Sequence, residues 1–192
     1  MTTFISQLTL PEVIFNNLPA SILLPITLGT AVGYSTRPKT TKRRYLSYKQ
    51  PPFSPPPWLF GPAWTLLYGM MGYASYRAVH YGTSPLNSAA TIATAKHGAT
   101  LYTIQLGLNL AWMPLFFGLK RPVEATVDII ALLGSNIYLA YLWGGSVDRT
   151  AGLLLVPYIA WLGFASYLSA GVGYLNNWDL SDIEKDAVVK DE

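Results

Sequence analysis

Long apolar runs separated by short polar stretches make up most of the chain. Each run is close to the ~20 residues that an α-helix needs to cross a bilayer core. None shows the strict apolar–polar alternation that is typical of barrel strands. The pattern therefore predicts an all-α bundle of five transmembrane helices, at approximately residues 18–36, 58–80, 97–118, 123–143 and 151–174.

Three regions follow from this pattern. Residues 1–17 form an N-terminal segment, residues 18–175 the membrane domain, and residues 176–192 an acidic, flexible tail. Composition supports the membrane assignment, because 51% of the 192 residues are hydrophobic and only 12% are charged. Such a chain carries too few charges for a typical soluble domain. The absence of cysteine excludes disulfides and thiolate metal sites.

Positive charge is concentrated in the predicted loop between the first two helices, RPKTTKRRYLSYKQ, which contains no acidic residue. If the helices alternate in direction, the basic residues divide ten to three between the two sides of the membrane. Loop 37–49 and the C-terminus should then face the cytosol. Orientation alone could explain the cluster, or it could also contact anionic headgroups or an acidic ligand. The adjoining spans argue against a nucleic-acid partner. The richer side contains Arg37, Lys39, Lys42, Arg43, Arg44, Lys49, Lys120, Arg121, Lys185 and Lys190.

Aromatic and small residues follow one stripe of two predicted helices. Trp64, Tyr68, Met71 and Ser75 recur at helical spacing in the second helix. A second stripe in the fifth helix contains Trp161, Ala165 and Leu168, and places a methyl group beside an indole. We expect the two stripes to face each other across a cavity, although ordinary packing or an interfacial aromatic belt would produce similar spacing.

Small residues recur at every fourth position of the third helix. Such a stripe brings two helix backbones close, either between two copies of the chain or within one bundle. The sequence thus predicts a homodimer through this helix, with intramolecular packing as the alternative. Asn109 points away from the stripe and suits a polar interior. The stripe contains Ala95, Ala99, Thr103, Gly107 and Ala111.

Charged and titratable residues within the helices suggest structure rather than catalysis. Glu124 and Asp128 lie one turn apart, and Asp128 should pair with Arg121 or with a basic residue of the first loop. His80 and His97 lie at helix ends, and neither belongs to a metal-ligand pattern. The sequence contains no nucleophile elbow and no glycine-rich phosphate loop.

Three stretches resemble the TspO/MBR family of translocator proteins, also called peripheral-type benzodiazepine receptors. They are PPPWLFGPAWTLLYGMMGYASY, LYTIQLGLNLAWMPLFFG and LLLVPYIAWLGFASYLS, and the resemblance covers roughly residues 25–174. It implies a receptor or transport protein that binds porphyrin, haem, benzodiazepine-like drugs and, in animals, cholesterol. In a eukaryote it implies the mitochondrial outer membrane or another intracellular membrane.

The resemblance also implies a ligand site, and the chain departs from the family in two places. Gly171 and Tyr174 stand where the animal cholesterol motif has Tyr and Arg, and Glu124 replaces a tryptophan of the animal drug site. Sterol and drug binding are therefore less well supported than porphyrin binding. The implied ligand-binding residues are Phe60, Gly61, Pro62, Trp64, Asn109, Trp112, Ala131, Trp161, Ala165 and Leu168.

Two functional hypotheses follow. In the first, the protein binds tetrapyrroles and related lipophiles for transport, sensing or a stress response, with no obligatory cofactor and no catalytic residue. In the second, it is an enzyme that degrades bound porphyrin, with Trp64 and Trp161 as redox-active or photo-active side chains.

Overall fold

The computed structural model describes residues 4–36 and 38–180, and these residues contain helices and connecting segments but no strand. The all-α prediction is confirmed. Residues 181–192, which hold most of the predicted tail, lie outside the described residues. Helices α1 to α8 span Glu12–Asn16, Leu18–Ser35, Pro38–Ser47, Pro57–Tyr76, Ala89–Met113, Pro122–Ser146, Arg149–Leu154 and Val156–Leu175.

Three helical stretches of the described chain are long and apolar enough to cross a membrane. They are Leu18–Ser35, Pro122–Ser146 and Arg149–Leu175, the last of which contains α7 and α8. The crossing of the membrane by α4 and α5, and with it the count of five spans, stays a prediction.

Side-chain caps mark the starts of α2 and α5. Asn17 Oδ1 accepts a hydrogen bond from Ala20 N at 3.0 Å and begins α2. Ser88 Oγ accepts one from Thr91 N at 3.1 Å and begins α5. The apolar run predicted a start near residue 97, whereas α5 begins at Ala89. The difference arises because Ser88 caps a helix whose first turns, AATIATAK, extend beyond the apolar run from which the span was predicted.

Prolines mark the irregular turns. At Pro114, α5 passes into a π-helical turn over Pro114–Gly118, as expected for a residue that cannot donate to the helix ladder. Pro157 follows the interruption at Leu155 that separates α7 from α8. The fifth predicted span is therefore two helical pieces.

The predicted basic loop contains a helix, α3, whose ten residues include several lysines and arginines. Hydropathy does not detect this helix because its composition is polar. Lys and Arg are nevertheless good helix formers. The cations are thus carried on an ordered surface element at one end of the bundle.

The bundle has two unlike halves. Helix α6 packs against α5, α7 and α8, while α2 packs against α4. Away from α3, these helices meet in a solid core that contains the fully buried Met71, Trp143 and Leu155. We call this the closed half. Towards α3 the helices separate, and we call this the cavity half.

The N-terminal segment belongs to the closed half. Phe15 is buried against Tyr102, with ring centroids 5.8 Å apart. Ile5 N and Leu10 N donate to the hydroxyls of Thr100 and Thr103 at 3.3 and 3.0 Å. This segment therefore lies at the end of the bundle opposite α3.

The small-residue stripe of α5 is divided between two environments. Ala95 and Ala99 are buried inside the bundle, and Thr103 accepts the bond from Leu10. Gly107 is exposed and has no heavy atom within 4 Å of the position that a Cβ would occupy. The part of the stripe from Ala95 to Thr103 thus packs within the chain, whereas the part around Gly107 is open.

Candidate functional site

A cavity of about 560 Å³ occupies the cavity half, enclosed by α2, α4, α5, α6 and α8 beneath α3. Its walls are mainly apolar, with a few polar side chains. This size lies within the range of roughly 300–1,000 Å³ that is common for ligand sites.

Most of the ligand-site residues implied by the resemblance line this cavity. Trp161 packs behind the lining against Trp64 and Phe60. Pro62 and Ala131 are exposed and do not line it. The lining residues from the implied set are Phe60, Gly61, Trp64, Asn109, Trp112, Ala165 and Leu168.

Aromatic rings form one continuous wall. The centroid of Trp64 lies 5.4 Å from that of Tyr68 and 6.4 Å from that of Trp161, and the two indoles meet edge to face. Met71 and Ser75, from the same stripe as Trp64, lie deeper in the buried core. The α4 stripe thus lines the cavity over its first turns and packs the closed half over its last. A flat apolar ligand could stack on this wall.

A lid segment, residues 38–56, covers the α3 end of the cavity. Tyr45 donates to Pro55 O at 2.7 Å, and Gln50 Nε2 donates to Tyr45 O at 2.6 Å. The Tyr45 ring meets Phe60 edge to face at 5.5 Å. Burial raises the pKa of Tyr45, an effect partly offset by its contact with Ser54, so the phenol keeps its proton at neutral pH.

The lid segment is fastened to α8. The Asn176 side chain accepts from Lys49 N at 3.1 Å and donates to Lys49 O at 3.0 Å. Tyr167 donates to Pro52 O at 3.1 Å, and a Cβ at Gly171 would lie 2.8 Å from the Pro51 ring. Asn176 and Leu180 are buried, so the packed part of the chain reaches at least residue 180.

Lys42 on α3 is exposed and is the one charged residue among the described residues that line the cavity. The aromatic residues of α4 line another part of the same cavity. The site therefore combines an apolar interior with a cation at its α3 end. This arrangement suits a lipophilic molecule that carries an acidic group.

A chain of buried polar side chains leads from the cavity into the core. Tyr68 donates to Asn109 Oδ1 at 2.6 Å, and Asn109 Nδ2 donates to the Tyr158 hydroxyl at 2.7 Å. Tyr158 in turn donates to Gln105 Oε1 at 3.4 Å, and Asn136 Nδ2 donates to the same oxygen at 3.2 Å. The prediction that Asn109 faces a polar interior agrees with this arrangement.

One glycine of α2 makes room for this chain. A Cβ at Gly29 would lie 2.8 Å from the Tyr68 hydroxyl and would collide with the phenol ring. Only a glycine lets the α2 backbone pass this close to the buried phenol. Gly29 itself lines the cavity.

The expected partner of Asp128 is not the one observed. Arg121 approaches Glu124 at 3.6 Å, and Asp128 Oδ2 is buried without a hydrogen-bond partner among the described residues. The shorter i,i+3 spacing on the same helix favours Glu124 over Asp128 for Arg121. His80 contacts Asn16 and stacks on Tyr76, while His97 meets Tyr138, so the two histidines have separate neighbours.

Some parts of the site were not identified from the sequence. The aromatic stripes do not include the α2 wall of the cavity, with Gly29 and Gly33, or the lid residues Tyr45 and Gln50. Gln105 and Asn109, one turn apart in an apolar helix, were the available signal for the buried polar chain. Within the described residues, no group of His, Asp and Glu could hold a metal ion.

Comparisons with known proteins place most of the chain in one family. The model of the TspO/MBR family matches residues 21–175. The chain is 44% identical over 154 residues to a translocator protein homolog of Schizosaccharomyces pombe. The aligned region covers 80% of this chain and 88% of that protein. It is 39% identical to the tryptophan-rich protein TspO of Chlorobaculum tepidum (81% and 96% covered) and 39% identical to the translocator protein of Bos taurus (77% and 82%).

Proposed function

The chain belongs to the TspO/MBR family of integral membrane proteins, and we propose that its cavity binds a tetrapyrrole or a related flat lipophile. The aromatic cavity, with Lys42 at its α3 end, is the observation that carries this proposal. Indole and phenol faces offer stacking surfaces for a macrocycle, and the lysine offers a partner for its carboxylates. Transport, sensing and a stress response would all use such a site.

The direct test is a titration of the purified protein with protoporphyrin, haem and a sterol, in which tryptophan fluorescence is the readout. Because Trp64 and Trp112 line the cavity, a porphyrin bound there should quench emission reversibly and with saturation. Trp64→Ala should weaken binding through lost stacking. Failure of both tetrapyrroles to quench would refute the proposal.

The same titration separates binding from degradation. A binding protein returns the porphyrin unchanged when it is extracted after prolonged incubation in light and in darkness. Products that accumulate with the native protein, and disappear in Trp64→Phe or Trp161→Phe, would instead identify an enzyme.

We also propose that α3 and the end of α8 face the cytosol. The contact of Asn176 with Lys49 supports a shared side, and the excess of basic residues there supports the cytosolic one. In sealed membranes with native orientation, a protease added on the cytosolic side should remove a C-terminal tag and leave an N-terminal tag intact. The reverse pattern would overturn this orientation.

A homodimer through the open part of the α5 stripe is a further proposal. The exposed Gly107 would allow a second helix to approach closely. Gly107→Leu should convert dimer to monomer in light-scattering measurements while porphyrin binding persists. An unchanged mass would exclude this interface.

A further inference from the structure

The donors and acceptors of the polar chain beneath the cavity follow one another in a single direction, and a backbone carbonyl fixes its far end. The Asn136 amide lies 2.9 Å from Leu132 O and 3.2 Å from Gln105. A carbonyl oxygen can only accept, so the Asn136 atom beside it must be the nitrogen Nδ2. The Gln105 atom that this nitrogen meets must therefore be the oxygen Oε1.

The constraint then passes from residue to residue. Because Gln105 presents an oxygen, the Tyr158 hydroxyl donates to it at 3.4 Å, the longest link of the chain, and accepts from Asn109 Nδ2 at 2.7 Å. Asn109 must therefore turn its amide nitrogen towards Tyr158 and its oxygen towards Tyr68. The Tyr68 proton is committed to that oxygen at 2.6 Å. What Tyr68 offers to any further partner is its lone pairs.

Three other hydroxyls in the cavity lining also donate their proton to a backbone carbonyl within the protein. Thr41 donates to Thr36 O, Tyr45 to Pro55 O and Thr65 to Gly61 O, each within 2.9 Å. These side chains too have used their protons inside the protein. These hydroxyls therefore present oxygen acceptors to the cavity, while the donors of the lining include the Lys42 ammonium at the α3 end, Trp112 Nε1, which has no partner among the described residues, and the second hydrogen of Asn109 Nδ2.

We propose that the deep end of the cavity selects ligands that carry a hydroxyl group, which donates to the Tyr68 oxygen. Asn109 Nδ2 keeps a second hydrogen beyond the one given to Tyr158, and a hydroxyl could accept it. Asn136 acts as a positioning residue, because its bond to Leu132 O sets the direction of the whole chain. The inference rests on the proposed function only in taking this cavity as the ligand site.

A matched pair of porphyrins tests the inference. One carries two hydroxyethyl groups on the edge opposite its carboxylates, and the other is the dimethyl ether of those hydroxyls. One added hydrogen bond should make the diol bind the native protein about threefold to tenfold more tightly than the ether. Tyr68→Phe should reduce this ratio to about one, chiefly by weakening the diol.

Two variants separate a specific effect from general damage. Tyr102→Phe removes a hydroxyl from another buried tyrosine that does not line the cavity, so the native ratio should persist. Asn136→Leu changes no lining residue but removes the hydrogen bond that orients Gln105. The diol-to-ether affinity ratio should therefore fall. A loss of affinity that is equal for both porphyrins would indicate only a structural disturbance and would overturn the positioning role.

A second pair, 2-naphthol and 2-methoxynaphthalene, makes the test independent of tetrapyrroles. If neither porphyrin binds but the protein prefers the naphthol, the tetrapyrrole proposal fails and the hydroxyl inference stands. Equal binding within both pairs, or a preference that survives in Tyr68→Phe, would overturn the inference.

Discussion

The closed half and the cavity half are built from the same helices but differ in whether the backbones of α2 and α4 touch. In the closed half, a Cβ at Gly72 would collide with Ser21 O and lie 2.8 Å from Ile22 Cα, so α2 and α4 touch backbone to backbone. In the cavity half, Gly33 and Gly61 on the same two helices have no such neighbour within 4 Å. The two helices are joined at one end and open at the other.

This difference shows how a small bundle can contain a large cavity. Helix association in lipid depends on close packing, and the closed half concentrates that packing around small residues and the buried Trp143. The cavity half is held in part by the lid segment and its bonds to α8. Stability and ligand binding should therefore respond to changes in different halves.

The largest effect should come from filling the contact at Gly72. Gly72→Ala places a methyl group against the Ser21 backbone, which cannot move without separating α2 from α4. We expect a loss of at least about 2 kcal/mol in unfolding free energy, as for overpacked cores. Thermal unfolding in detergent would show a lower Tm.

Gly134→Ala is the matched control, because Gly134 is a helical glycine with no heavy atom within 4 Å of the added methyl group. It should be neutral or should stabilise the protein by up to about 1 kcal/mol, since alanine favours helix. Equal effects of the two substitutions would contradict the division into halves.

A smaller effect, confined to ligand binding, should follow from filling the cavity half. Ala165→Phe places a ring in the space beneath the lid segment, so it should weaken porphyrin binding by more than ~1.4 kcal/mol, or tenfold, with little change in Tm. Ala131→Phe adds the same ring on the exposed side of α6 and should leave affinity unchanged. A destabilised Ala165→Phe that binds porphyrin normally would show that Ala165 only packs the bundle.

The sequence predicted the elements dominated by local pattern. Apolar runs located the long helices, and helical spacing brought Trp64 and Ala165 to one cavity from two distant helices. The polar composition of α3 concealed that helix from hydropathy. Asp128 was paired with Arg121 on plausible spacing, yet Glu124 lies nearer on the same helix and takes that contact.

The missing parts of the site depend on contacts that spacing does not encode. Gly29 lines the cavity because α2 passes closest to the phenol of Tyr68, and glycine in an apolar helix has many other uses. The direction of the polar chain depends on Asn136 lying beside a carbonyl of its own helix and an amide of α5. Neither fact follows from the period of a helix.

The smallest effect should come from the charge at the α3 end of the cavity. Lys42→Ala removes a cation that lines the cavity but is exposed to solvent, where an ion pair contributes little. Binding of a dicarboxylate porphyrin should weaken about twofold to threefold at low ionic strength. The loss should vanish near 1 M salt, where the screening length is roughly 3 Å. Arg43→Ala makes the same charge change on α3 at an exposed position outside the lining, and it should have less effect. The dimethyl ester of the porphyrin should be insensitive to either substitution, because it has no carboxylate for a cation to meet. If Lys42→Ala weakens the ester as much as the acid, the lysine acts through its apolar stem and not through its charge.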